Sequence, residues 1–222
     1  SACFGSKKSQ VQVLSPRHYD TFFKIRGGLF SNCNMTKRLF IAIGLSESLA
    51  DKLADYQRNL ALEQFRREKI NWTKKENLHL TVHFLAEVEI KKIEQLISLL
   101  GAVAKTIPVF DLVFKEIIFA PPRRQPRMIW ATFHGHDQYQ KLATEIYRAT
   151  KDILFEIQEP KFLPHLTLAR FRFLSRSIDV GRFIFSPLTF DCVPVASFCL
   201  FASELTATGP IYTNLARFDL SG

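Results

Sequence analysis

From Arg38 onward, apolar and polar positions fall into short alternating runs separated by longer runs with helical spacing. Arg38-Leu39-Phe40-Ile41-Ala42-Ile43 reads as a strand over 38–44. Ser46 is placed to cap a following helix, in which Leu49, Leu53, Tyr56 and Leu60 share one side. Extended segments are expected near Ile70–Thr73 and Leu78–Leu85. A second helix carries Ile90, Ile93, Leu96, Ile97, Leu100 and Val103 on one side and ends before Pro108, which lacks the amide proton a helix needs. Strands near 109–119 and 127–133 flank the Pro121-Pro122 loop. Asp137 is placed to cap a third helix, with Leu142, Ile146, Ile153 and Leu154 facing inward. From His165 to Leu220 the chain reads as strands broken by Pro187, Pro194, Gly209 and Pro210. Neither GxGxxG nor GxxxxGK[ST] occurs, which argues against a doubly wound nucleotide-binding sheet. The strand-rich second half predicts an α+β fold with antiparallel sheets.

Residues 1–34 break the pattern. They are basic, rich in Ser, Gly and Asn, and have no sustained periodicity. Met35 reads as a natural start, which makes 1–34 a disordered or non-native extension and 35–222 the folded domain. A cleaved organellar transit peptide is the alternative, since the segment is basic and poor in acids. Of the net charge of +9, this segment holds +4 through Lys7, Lys8, Arg17, Lys24 and Arg26 against Asp20. A basic balance favours anionic partners such as nucleic acid, but the excess left in the body is modest. The 47% hydrophobic content, with 21 phenylalanines, excludes a disordered chain. No apolar run reaches the roughly 18–20 residues that span a bilayer, so no membrane partner is expected. Cys3, Cys33, Cys192 and Cys199 form no CxxC pair and fit reduced thiols, hence a cytoplasmic protein. A monomer is the default oligomeric state.

One repeat carries chemistry. Leu78-His79-Leu80-Thr81-Val82-His83-Phe84 reappears as Pro164-His165-Leu166-Thr167-Leu168-Ala169-Arg170, with the two His-x-Thr cores 86 residues apart. Residues i and i+2 of a strand point to the same face, so each His shares a face with its Thr while Leu80 and Leu166 point into the core. If the two segments meet across a cleft, two imidazoles and two hydroxyls converge. Phosphodiester cleavage needs such a set: a base for the nucleophile, an acid for the departing alkoxide, and donors for the phosphoryl oxygens. Imidazole titrates near 6.5, so one ring can be neutral and the other protonated near neutral pH. Arg170 could add a bidentate contact. Strict alternation, however, puts it on the opposite face from His165, unless the strand ends, twists or bulges after Thr167.

The remaining candidates are less specific. His83 lies four residues from His79, but HExxH would need Glu where Leu80 stands. On a strand the rings would be about 13 Å apart, so His83 is expected at the cleft edge or in solvent. His134-Gly135-His136 reads as a polar turn in the absence of a third ligand. His18, in the leader, has no implied role. Arg123, Arg124 and Arg127 interleave with Pro121, Pro122 and Pro126, as a solvated loop or as a phosphate-steering one. Lys37 and Arg38 could reach a phosphate or water. Trp72, Trp130 and Phe40 could stack a base, although such aromatics are more often core, and core is the reading favoured for Trp130.

With the paired motifs in place, the chain resembles the two-histidine (2H) phosphoesterase superfamily, and within it the RNA 2′,3′-cyclic phosphodiesterases, also called 2′-5′ RNA ligases. The resemblance runs from Met35 to about Leu220. It is carried by Lys37–Ile43, Asn77–Leu85, the Pro121–Trp130 loop, Pro164–Arg170, and Ser203-Glu204-Leu205 with Gly209-Pro210-Ile211-Tyr212. It implies two pseudo-symmetric lobes of antiparallel sheet with flanking helices around a central cleft, each lobe giving one His-x-Thr. It implies hydrolysis of an RNA-terminal 2′,3′-cyclic phosphate, or of small cyclic nucleotides, to a 2′-phosphate, with no metal and no cofactor. His79 would be the general acid and His165 the general base. Thr81, Thr167 and Arg170 would hold the phosphate, with Arg38, Phe40 and Arg127 as further candidate substrate contacts. Two alternatives remain: 2′-5′ joining of RNA ends, and a non-catalytic RNA- or nucleotide-binding module of the same fold. The chain departs from the pattern at Ala86, where the family usually has Gly, and at His83, where other side chains are common.

Overall fold

The computed structural model describes residues 35–66, 70–121, 126–154, 157–160, 162–171, 183, 185, 188, 190, 192–207 and 209–222. The expected extension 1–34, Pro122, Arg123, Arg124 and Pro187 lie outside the described residues. The elements are β1 (Thr36–Gly44), α1 (Glu47–Glu63), β2 (Ile70–Trp72), β3 (His79–Glu89), α2 (Ile93–Ala104), β4 (Phe110–Ala120), β5 (Met128–Phe133), α3 (Asp137–Thr150), β6 (His165–Phe171), β7 (Cys192–Val195), β8 (Ser197–Thr206) and β9 (Gly209–Asp219). Ser46 caps α1 as expected, its Oγ accepting from the Leu49 amide at 3.3 Å. The third helix differs from expectation. Its cap is His136, whose Nδ1 accepts from the Gln138 amide at 3.2 Å while its ring stacks on Phe110 at 5.1 Å. Asp137 is instead the first helical residue, where a carboxylate meets the positive end of the helix dipole. The His134-Gly135-His136 segment thus leads into the helix and supplies its cap. No helix among the described residues is long and apolar enough to cross a membrane.

The strands form one antiparallel α+β sheet in the order β7-β4-β5-β6-β3-β1-β8-β9, with β2 paired to β6. It divides into two four-strand halves, β6-β5-β4-β7 and β3-β1-β8-β9, which meet where Leu80 faces Leu166. In this arrangement β3 corresponds to β6 and β1 to β5. On one face Leu39, Ile41, Ile43, Leu80 and Leu166 are buried with helix residues such as Leu53, Leu96 and Leu142 in a single core. Each such side chain contributes about 1.5–3 kcal/mol on burial. The other face carries the repeat's polar side chains.

Both halves share one irregularity. In the β1–β3 pair, Ile41 faces His83 but Ala42 faces Thr81, so Val82 is an extra residue. In the β5–β6 pair, Ile129 faces Ala169 but Trp130 faces Thr167, so Leu168 is extra. An extra residue is a β-bulge, and it reverses the alternation of every side chain that follows. Each bulge sits three positions after its histidine.

Candidate active site

The register at Leu80–Leu166 sets His79 beside Thr167 and Thr81 beside His165. The two histidines therefore occupy one diagonal of a four-residue patch roughly 5–7 Å on a side. All four line a single cleft of ≈ 860 Å³.

The rings are held alike. His79 Nδ1 lies 2.8 Å from the Asn77 carbonyl, and His165 Nδ1 lies 2.9 Å from the Leu163 carbonyl. A carbonyl only accepts, so each Nδ1 carries a proton and donates. The Nε2 of His79 sits 3.0 Å from Thr81 Oγ1. Burial holds the His79 pKa below 6.5; the Asn77 carbonyl opposes this, and the charges of Arg170 and His165 add to it.

The bulges decide which neighbours join the patch. After Leu168 the alternation flips, so Arg170 returns to the His165 face and lines the cleft, its Nη1 3.0 Å from Met128 Sδ. Phe84 is carried to the same face by the Val82 bulge; it is 59% exposed and also lines the cleft. His83, expected at the cleft edge or in solvent, is instead 5% exposed on the core side, 6.1 Å from the Tyr147 ring. The same bulge is the reason. Burial lowers the His83 pKa, and its Nε2 has no hydrogen-bond partner.

Arg38 lines the cleft. Phe40 does so too, but it is 3% exposed, enclosed by His79 at 5.1 Å, Phe201 at 5.3 Å and Tyr212 at 4.9 Å. It supports the His79 ring rather than offering an open stacking face. Arg127 is exposed and is not among the cleft residues; its backbone bonds Ala120 and Phe171. Trp130, read as core, is half-buried and stacks on His165 at 3.9 Å. Trp72 and Lys74 line the cleft as well. Sequence reasoning missed Tyr212, whose ring meets His79 edge-on at 5.4 Å and whose pKa is raised by burial against the charges of Arg170 and Arg38. It also missed Asn77, whose side-chain amide donates to the Pro210 carbonyl at 3.1 Å and so ties the His79 turn to β9.

Residues 43–130 match the family model described as LigT like phosphoesterase. An RNA 2′,3′-cyclic phosphodiesterase of Aquifex aeolicus is 30% identical over 156 residues, 68% of this chain and 82% of that one. The protein of that name from Thermotoga maritima is 29% identical over 187 residues, 83% of this chain and 96% of that one. Among solved structures, a Thermus thermophilus protein superposes with a TM-score of 0.70 at 26% identity, covering 83% of this chain and 98% of that one. E. coli LigT complexed with 3′-AMP gives 0.67 at 25% identity, covering 85% of this chain and 100% of that one.

Proposed function

Because the chain belongs to the LigT-like phosphoesterase family, we propose that it hydrolyses RNA-terminal 2′,3′-cyclic phosphates to 2′-phosphates by acid–base catalysis between its two histidines. The observation that carries this is the diagonal pairing of His79 and His165 in one cleft, each ring oriented by an Nδ1–H bond to a carbonyl two residues before it. His165 Nε2 takes a proton from water as the water oxygen bonds to phosphorus. The bond from phosphorus to the 3′ oxygen breaks, and His79 Nε2 gives its proton to that oxygen. The product is a 2′-phosphomonoester with a free 3′-hydroxyl. Thr81, Thr167 and Arg170 donate to the non-bridging oxygens, where charge accumulates. The lowered His79 pKa disfavours the acid form in the free protein. A bound phosphate monoanion opposes the charges of Arg170 and His165 and restores the proton that the acid role needs.

The test is hydrolysis of a 2′,3′-cyclic-phosphate RNA end in EDTA, with the 2′- and 3′-phosphate products resolved. Turnover is expected to survive the chelator and to yield the 2′-phosphate. His79→Ala and His165→Ala should each lower kcat by about 10²–10⁴. Loss of activity with EDTA, or a 3′-phosphate product, would overturn the proposal.

A further inference from the structure

We infer that Gln57, a buried residue of α1, is a positioning residue for Arg170 and acts through the β6 bulge. This rests on the reading of Arg170 as a phosphate-binding group.

Gln57 is 5% exposed and lies among the apolar side chains Leu53 and Leu60 of its helix. A buried amide needs partners, and its Nε2 finds two. It donates to the Leu168 carbonyl at 2.7 Å and to the Thr73 carbonyl at 3.0 Å. Thr73 completes the clamp. Its amide donates to the Leu168 carbonyl at 2.9 Å, and its Oγ1 donates to the Thr167 carbonyl at 2.8 Å. These carbonyls fall in a gap. β3 pairs with β6 at Leu166 and β2 pairs with it from Ala169, so neither strand's ladder covers Thr167 and Leu168. Leu168 is the bulged residue, and its bulge turns Arg170 from the core face to the cleft. The amide of Gln57 thus holds open the one irregularity on which the guanidinium's direction depends. A flattened bulge would restore alternation and carry Arg170 away from the phosphate.

A double-mutant cycle tests this, using Gln57→Met, Arg170→Ala and the pair. The readouts are kcat/KM on 2′,3′-cyclic AMP and the Kd for inorganic phosphate. Gln57→Met keeps the side chain's length and loses both donors. It is expected to lower kcat/KM about tenfold to a hundredfold, as a displaced charge does, and to weaken phosphate binding. In the Arg170→Ala background it should change neither readout by more than about twofold. An equal loss in both backgrounds assigns Gln57 a general structural role and overturns the inference, as does no loss in either. If Gln57→Met does not fold, Thr73→Val, which removes one bond of the same clamp, enters the cycle in its place. Should the wild type leave cyclic AMP intact while phosphate binding still shows the coupling, the proposed hydrolysis fails and the role of Gln57 stands. A wild type that binds no phosphate overturns the inference.

Discussion

The two halves of the cleft are built alike and finished differently. Each begins with a histidine whose Nδ1 donates to the carbonyl two residues before it, continues through a threonine, and bulges at the third position. The bulges then deliver different side chains to corresponding places, Phe84 in the first half and Arg170 in the second. The clamps differ as well. The Thr81 carbonyl accepts from the Tyr139 hydroxyl of α3 at 3.3 Å, whereas the Thr167 and Leu168 carbonyls are held by Thr73 and by Gln57 of α1. A duplicated frame therefore yields an asymmetric site, with a cation at one end and an exposed aromatic ring at the other. A cyclic nucleotide is asymmetric in the same sense, carrying an anionic phosphate and a flat base.

Replacing the two differing residues in turn should break this asymmetry unequally. Arg170→Ala removes the charge proposed to meet the phosphoryl oxygens, and kcat/KM is expected to fall about 10²–10³-fold. Phe84→Ala removes a face on which a base can stack, worth about 1–3 kcal/mol, and its loss should appear mainly in KM. Steady-state kinetics on an RNA ending in a 2′,3′-cyclic phosphate and on a 2′,3′-cyclic mononucleotide separates the two. Equal losses, both in kcat, would mean that the ends of the cleft are chemically interchangeable.

A smaller effect sharpens the comparison electrostatically. His79 is desolvated and also faces the positive charges of Arg170 and His165, all of which push its pKa down from 6.5. In the free protein it therefore takes up its proton at a lower pH than an exposed histidine does. Removing the guanidinium removes one repulsive charge while leaving the burial, so in Arg170→Ala the His79 titration should move up toward 6.5 without reaching it. Proton–nitrogen NMR of the imidazole, followed against pH in the two proteins, reads this directly. An unchanged titration would place Arg170 away from the His79 ring.

The strands, the helices and the shared face of each His-x-Thr pair were legible because periodicity reports which residues share a face. The bulges were not, because nothing in the local pattern marks Val82 or Leu168 as extra residues; only the partner strand's register does. All the errors near the site trace to such long-range placement. Strict alternation pointed Arg170 away from the cleft and His83 toward it, and each bulge reverses one of these. Trp130 sits on β5 opposite Thr167, so its ring falls on His165 rather than in the core. Tyr212 reaches His79 from β9, whose position depends on its pairing with β8. For α3, Asp and His can both accept from an N-terminal amide, and the sequence offered no means of choosing between neighbours.

The first half also carries a second irregularity, and it leads to the smallest expected effect. Leu39 faces Ala86 while Phe40 faces Phe84, and Ala86 has φ of 56°, in the left-handed region. This is the position where the resemblance led one to expect glycine. An L-residue there costs about 1–2 kcal/mol from its Cβ, and the exposed Ala86 methyl gains little packing in return. Glycine would relieve that strain but adds about 0.4–1 kcal/mol of unfolded-state entropy to be lost on folding. The net expectation for Ala86→Gly is a gain of about 0.5–1 kcal/mol in urea unfolding, from these two opposing terms. Since the substitution keeps the bulge, Phe84 should stay on the cleft face and kcat/KM should not change. A stabilised protein with altered KM would mean instead that the strained alanine sets the direction of Phe84, making the second bulge part of the site rather than a turn beside it.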